Sequence, residues 1–149
     1  MTRIRPTRSE FAHFETYPTR WRDNDAYGHL NNAVFYEYVD TLVNGWLIRS
    51  GALEIPGGPV ICVVADTGCS FFASLGFPEP LEAGLRLDRL GATSITYGVG
   101  LFRAGAVEAA ARARFTHVCV DRATRRPVRV PLALRAAVAG LAPQVQSGT

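Results

Sequence analysis

Between Val34 and Leu47 apolar side chains return every three or four positions: Val34, Phe35, Tyr38, Val39, Leu42, Val43, Trp46 and Leu47. That is the period of an α-helix, and Glu37, Asp40, Thr41 and Asn44 leave it only a thin polar stripe. The pattern predicts a long helix buried over most of its circumference. Asn31 or Asn32 caps its start by accepting a bond from a free N–H of the first turn. Ser50-Gly51 stops it, since glycine readily takes the conformation just past a helix end. Elsewhere the pattern is that of strands. Phe14 to Trp21 is aromatic and β-branched, and Pro18 within it argues for a sheet edge or a bulge, having no N–H to donate. Val60 to Phe72, Leu85 to Asp88, Thr93 to Phe102 and Val107 to Val120 read as further strands. Along Thr93 to Phe102, residues Thr93, Ile95, Tyr97, Val99 and Leu101 share one face. Arg103-Ala104-Gly105-Ala106 is a hairpin turn, Asp121 to Pro127 a basic loop, and Pro131 to Ala139 a short closing helix.

One strand, a buried helix, then four or five antiparallel strands make an α+β layer, and a sheet following one long apolar helix packs by curling around it. The 149 residues suit a single domain that needs neither disulfide nor metal to hold a core. We expect that domain over residues 14–140, with loosely held tails at 1–13 and 141–149.

Composition narrows the classes of function. The longest apolar run near a strand, Val60 to Ala65, is far too short to span a membrane. No apolar stretch follows the basic residues Arg3, Arg5 and Arg8, so a signal peptide is not expected and the chain reads as soluble and cytoplasmic. Cys62, Cys69 and Cys119 are odd in number and lack C-x-x-C spacing, which argues against a disulfide framework or a zinc site. Their apolar neighbours point to buried, inert thiols. The net charge of +3 is carried entirely by arginine, with no lysine in the chain. Arginine suits phosphate oxygens, but so small a charge is unlike the clustered basic face of nucleic-acid binders.

Candidate chemistry concentrates in Asp23–Asn32, which holds Asp23, Asp25, His29, Asn31 and Asn32 immediately before a helix start. Unpaired N–H groups there can hold a developing oxyanion. A neighbouring carboxylate can attack a carbonyl or activate water, and Gly28 lets backbone approach a ligand. The same residues also read as ordinary caps and turn formers. A calcium loop is set aside, because Tyr27 and Val34 occupy positions where ligands are needed. Asp66 lies within an apolar strand, where it requires a hydrogen-bond partner or an aqueous pocket.

Arg22-Asp23-Asn24-Asp25-Ala26-Tyr27-Gly28-His29-Leu30-Asn31-Asn32, with Phe35-Tyr36-Glu37-Tyr38 after it, resembles the opening motif of the 4-hydroxybenzoyl-CoA thioesterase family of hotdog proteins. The likeness continues through Leu81 to Gly84, Gly91 to Tyr97, Phe102 to Gly105, His117 to Arg122 and Arg126 to Val128. It implies a sheet wrapped around the long helix, subunits joined edge to edge as dimers that pair into tetramers, and an active site at their interface. It implies acyl-CoA thioester hydrolysis with no cofactor beyond the CoA of the substrate, and no nucleic-acid or membrane partner. Carried over by position, Asp25 is the nucleophile or general base, the N–H near Asn32 polarises the carbonyl, and His29 is catalytic or fixes the loop. Tyr27, Gly28, Asn31, Thr93, Ser94, Arg125 and Arg126 are the candidate substrate contacts. Asp23 is expected to fix the loop, and Glu37 or Asp40 would be the alternatives should Asp25 prove dispensable. A non-catalytic acyl-CoA or acyl-carrier-protein binding module is the competing reading. A hotdog dehydratase is disfavoured for want of a histidine in a Pro/Gly-rich segment.

Overall fold

The computed structural model describes residues 4–143. Asn31 caps the long helix, its side-chain oxygen accepting the Ala33 N–H at 3.0 Å. From there α1 runs Asn32–Ser50, and Gly51 ends it in the left-handed conformation at φ 67°, which a residue without a Cβ adopts without strain. Five strands form one antiparallel sheet: β1 (His13–Tyr17), β2 (Val60–Phe71), β3 (Leu81–Leu90), β4 (Ser94–Arg103) and β5 (Ala111–Asp121). Their order across the sheet is β1-β3-β4-β5-β2, so β1 and β2 are the two edges. A short α2 (Leu132–Ala139) follows. A sheet curled around one long helix is the hotdog architecture that the resemblance implies.

The core lies between α1 and the sheet's concave face. Phe35, Tyr38, Val39, Leu42, Val43 and Leu47 of the helix pack with Leu81, Ala83 and Leu85 of β3, Ile95, Tyr97, Val99 and Leu101 of β4, and Ala111, Ala113, Phe115 and Cys119 of β5. The alternate positions predicted to share a face along β4 are thus all buried from Ile95 to Leu101.

Several expectations are corrected. The helix is not buried over most of its circumference: Ala33, Tyr36, Glu37, Asp40, Thr41 and Ile48 are exposed. The polar stripe defines a wet side because the sheet covers only one flank. The first strand ends at Tyr17; pairing stops at Pro18, and Trp21–Asp23 forms a 3-10 turn instead. β5 begins at Ala111, since Ala109 and Ala110 donate instead to the carbonyls of Pro6 and Leu101. Part of the expected N-terminal tail is docked. Arg8 makes a two-pronged contact with Glu82 at 3.1 and 3.2 Å, and Phe11 is 8% exposed on the convex face of the sheet. Phe11 lies so close over the cross-strand pair Gly84 and Gly100 that a Cβ at Gly100 would come within 2.7 Å of its ring. Beyond α2, Leu141 is buried and its carbonyl accepts the Leu87 N–H at 2.9 Å. Residues 1–3 and 144–149 of the two expected tails lie outside the described residues.

Among the described residues, two core side chains bury a polar atom without a partner, those of His117 and Tyr97. His117 is buried among the rings of Phe115 and Tyr97, at 4.8 and 6.0 Å, and its Nδ1 and the Tyr97 hydroxyl have no hydrogen-bond partner. Burial pushes the His117 imidazole down to about 4, whereas an unfolded histidine titrates near ~6.5. Between those values the unfolded chain binds the proton and the folded chain does not. Stability is therefore full above about pH 6.5 and declines as pH falls toward 4, by roughly 3 kcal/mol in all. Urea denaturation from pH 7 to 4.5 should show a shallower decline for His117→Leu than for the native protein. Parallel declines would contradict a neutral buried imidazole.

Candidate active site

The loop before α1 is held from beneath by one carboxylate. Asp23, 1% exposed, accepts the Tyr38 hydroxyl at 2.6 Å, the Arg20 backbone N–H at 2.9 Å and the Arg20 guanidinium at 2.9 Å. Tyr38 is available because it sits on the buried face of the helix, two turns in. Burial works to raise the Asp23 carboxyl, but the bonds from Tyr38 and Arg20 outweigh it and hold the group below the usual carboxylate range. Burial first, and then Asp23, pushes the Tyr38 phenol up to about 12. The Asp23 carbonyl takes the Asn31 N–H, the Leu30 N–H reaches Leu75 O, and the Asn24 side chain accepts the Phe77 N–H at 3.1 Å. The loop before the helix and the loop after β2 are thereby tied together.

On this base Asp25 makes an Asx turn. Its Oδ1 accepts the N–H groups of Tyr27 at 2.8 Å and His29 at 3.3 Å, while its backbone N–H donates to His29 O at 2.8 Å. Gly28 completes the turn at φ 81°, a left-handed value that disfavours other residues. Oδ1 is thus committed to the turn, and the remaining carboxylate oxygen belongs to a side chain that lines a cleft of about 360 Å³ with His29, Leu30, Asn32, Phe35 and Phe71–Leu75. The first turn of α1 forms one wall. Asn31 gives its side-chain oxygen to Ala33 and its carbonyl to Val34, so neither takes the N–H of Asn32, the first helical residue. A partly exposed carboxylate and a helix-start N–H border the same space. This arrangement can hold an anionic oxygen while a carboxylate works on the adjacent carbon.

The remaining candidates scatter. Tyr27 and Gly28 are exposed at the turn's outer side and do not line the cleft. Nothing lies within 4 Å of a Cβ built at Gly28, so the glycine serves the turn itself. Asn31 caps the helix. Phe71 pairs with Ala111 at one end of the β2–β5 ladder and Val60 with Asp121 at the other, a separation of roughly 34 Å at ~3.4 Å per residue. Arg125 and Arg126 follow Asp121, and Ser94 pairs with Val118 near the same end, with Thr93 before it. Thr93, Ser94, Arg125 and Arg126 therefore stand at the far end of the subunit from Asp25. Glu37 is exposed and ion-pairs with Arg20 at 3.2 Å; Asp40 binds the Asn44 side chain at 2.9 Å; Asp66 meets Arg114 at 2.6 Å. The cleft segment Ala73–Leu75, beyond the expected strand, is not among the expected site residues. Its signal is the small and polar Ala73-Ser74 directly after a strand. A second cavity of about 140 Å³ lies at the opposite end of α1, lined by Asn44, Leu47, Leu53–Gly57 and Val60–Cys62. Its one carboxylate, Glu54, lies near the end of α1 and not at a helix start. Among the described residues, no three His, Cys, Asp or Glu side chains gather as metal ligands would, and no helix is long and apolar enough to cross a membrane.

Residues 19–138 match the model of the thioesterase-like superfamily. Among solved structures, the chain is similar to the PA5185 protein of Pseudomonas aeruginosa, with 47% identity over 96% of this chain and 100% of that one, at a TM-score of 0.91. It is similar to the PA2801 protein of the same organism, with 25% identity over 86% and 98% of the two chains and a TM-score of 0.77. It shares its fold with a 1,4-dihydroxy-2-naphthoyl-CoA thioesterase from Synechocystis, with 19% identity over 85% and 94% of the two chains and a TM-score of 0.76. No curated protein sequence matches it.

Asp23 should behave as a structural carboxylate. Asp23→Asn is expected to cost roughly 1.5–3 kcal/mol at pH 7, the worth of hydrogen bonds to a charged group. The native carboxylate contributes above the usual carboxylate range and loses its effect as pH falls through its lowered native value, so the two proteins' stabilities should converge once the pH is below that value. A gap that persists there in denaturant titrations would rule out the charge as its source.

Proposed function

The chain belongs to the thioesterase-like superfamily, and from that premise we propose that it hydrolyses an acyl-CoA thioester to the free acid and CoA. The observation that carries the reading is that Asp25 and Asn32, the first residue of α1, border one cleft. In the reaction the Asp25 carboxylate attacks the thioester carbon, or takes a proton from a water that does. The carbonyl oxygen gains negative charge against the Asn32 N–H and the positive end of the helix dipole, which are already oriented and need not reorganise. Collapse of the tetrahedral species breaks the C–S bond, and the CoA sulfur leaves as thiolate and takes up a proton. If Asp25 attacks directly, the resulting anhydride is then opened by water. His29 lies beside Asp25 and either hydrogen-bonds the substrate or holds the loop. No metal or redox group is required by these steps.

The reading places the catalytic unit in a dimer. β2 is a twelve-residue edge strand with Val64 48% and Phe71 38% exposed, a surface that pairs readily with another strand. Two copies of β2 joined antiparallel about their middle would bring the Val60 end of one against the Phe71 end of the other. The basic loop beyond Asp121 would then arrive at the neighbouring subunit's cleft, and Arg125 and Arg126 would meet CoA phosphates there in trans, with Thr93 and Ser94 nearby. On this arrangement Asp25→Asn subunits mixed with Arg125→Ala/Arg126→Ala subunits regain turnover that neither shows alone, because one site in each mixed dimer is intact. No recovery after subunit exchange would place the arginines elsewhere.

The competing reading, a non-catalytic binder of acyl-CoA or acyl-carrier protein, draws on the Asx turn, which gives Asp25 a structural task of its own. Hydrolysis decides between them. Across a panel of aromatic, short-chain and medium-chain acyl-CoA esters the native protein should release free thiol. Asp25→Asn, folded as judged by circular dichroism, should lose at least about 10²–10³ of the rate. Binding without thiol release in the native protein would favour the binder, and full turnover by the variant would remove Asp25 from the chemistry.

A further inference from the structure

The three cysteines, expected to be buried and inert, differ in their surroundings. Cys69 is partly exposed, and burial of its thiol pushes it up to about 11. Cys62 and Cys119 face one another across β2 and β5, with their sulfurs 3.7 Å apart. We propose that this pair is a redox modification site, forming a reversible intrachain disulfide when the protein meets a peroxide.

The backbone is already in the geometry a cross-strand disulfide needs. The Cys119 N–H donates to Thr93 O, and its carbonyl accepts from Val128 N–H, so both groups point away from β2. Cys62 and Cys119 are therefore a non-hydrogen-bonded antiparallel pair, the class in which opposed Cα atoms lie about 4.5 Å apart and the side chains are closest. That separation falls inside the range of about 4.4–6.8 Å found for disulfides. The sulfurs have to close from 3.7 Å to about 2.05 Å, which side-chain rotation supplies without a change of register.

The chemistry is also provided for. The hydrogen bond shared with Cys62 lowers the Cys119 thiol, burial opposes it, and the charge of Arg135 assists, so Cys119 is the sulfur better able to carry negative charge. It is itself fully buried, but Cys62 is partly exposed and lines the 140 Å³ cavity at the end of α1, through which a small oxidant reaches the pair. A thiolate attacks one peroxide oxygen, an S–O bond forms, the O–O bond breaks and the alkoxide or hydroxide leaves with a proton. The second sulfur then displaces the hydroxyl of the sulfenic acid as water, forming the S–S bond. In sum two thiols and one ROOH give a disulfide, ROH and water, the sulfurs losing two electrons to the peroxide.

Native protein treated with hydrogen peroxide should lose about 2 Da, and dithiothreitol should restore the original mass. A non-reduced peptide map should join the Cys62 and Cys119 peptides and leave Cys69 free. Cys69→Ser should oxidise as the native chain does, whereas Cys62→Ser and Cys119→Ser should not lose the 2 Da. Because the map is made on the native chain, the result does not depend on whether either variant folds. Three free thiols after treatment, gains of oxygen without a crosslink, or a crosslink through Cys69 would overturn the proposal.

Discussion

Everything at the cleft rests on the contact between Asp23 and Tyr38. A carboxylate that is 1% exposed is costly to bury unless its oxygens are satisfied, and here a phenol from the buried face of α1 and the backbone and side chain of Arg20 satisfy them. The consequence reaches beyond the pair. Tyr38 is fixed by the helix, so Asp23 is fixed relative to the helix, and Asp25 follows two residues later on a chain that has nowhere else to go. The partly exposed carboxylate and the helix start are held on one side of the same space by a bond that neither of them makes. Two carboxylates of one motif thus divide the work: the first is buried, hydrogen-bonded and acid-shifted, and the second is left at the cleft.

The sheet extends this logic to a division between ends. α1 begins beside the end of β2, with which it shares the cleft, and ends beside the start of β2. One end of the subunit carries Asp25, the helix N-terminus and the Phe71–Leu75 turn; the other carries the basic loop and the smaller cavity. Within a hotdog subunit that separation looks like a misplacement of cation and carboxylate. In the proposed dimer, antiparallel pairing of two copies along the open β2 edge would make opposite ends of one subunit neighbours in two.

How far the chain could be read in advance depended on how local each cause is. The helix was legible because its period, its Asn31 cap and its Gly51 stop all lie within it. The concave face of β4 was legible for the same reason, as alternation from Ile95 to Leu101 needs no partner to be seen. Trp21 misled, since an aromatic two residues after Thr19 favours a strand until the Arg20–Asp23 bond, three residues apart, folds the segment into a turn. Phe11 was illegible in a different way: it is one aromatic in a polar stretch, and its seat is made by Gly84 and Gly100, more than seventy residues on. The cleft shows the same contrast. Asp25, His29 and Asn32 come together because they are nearly contiguous, while Phe71–Leu75 is brought by a Leu30–Leu75 bond that no spacing announces. The far position of Arg125 and Arg126 follows from strand register, which composition does not encode.

In the proposed reaction the side chain at position 25 and the free N–H of Asn32 at the start of α1 converge on the same thioester. A crystal structure of the Asp25→Asn protein with an acyl-CoA bound tests it most directly. The thioester oxygen is expected within hydrogen-bonding distance of Asn32 N, about 2.7–3.1 Å, with the carbonyl carbon facing the amide at position 25. An acyl group seated instead in the cavity by Leu53–Cys62, with its carbonyl remote from the start of α1, would contradict it.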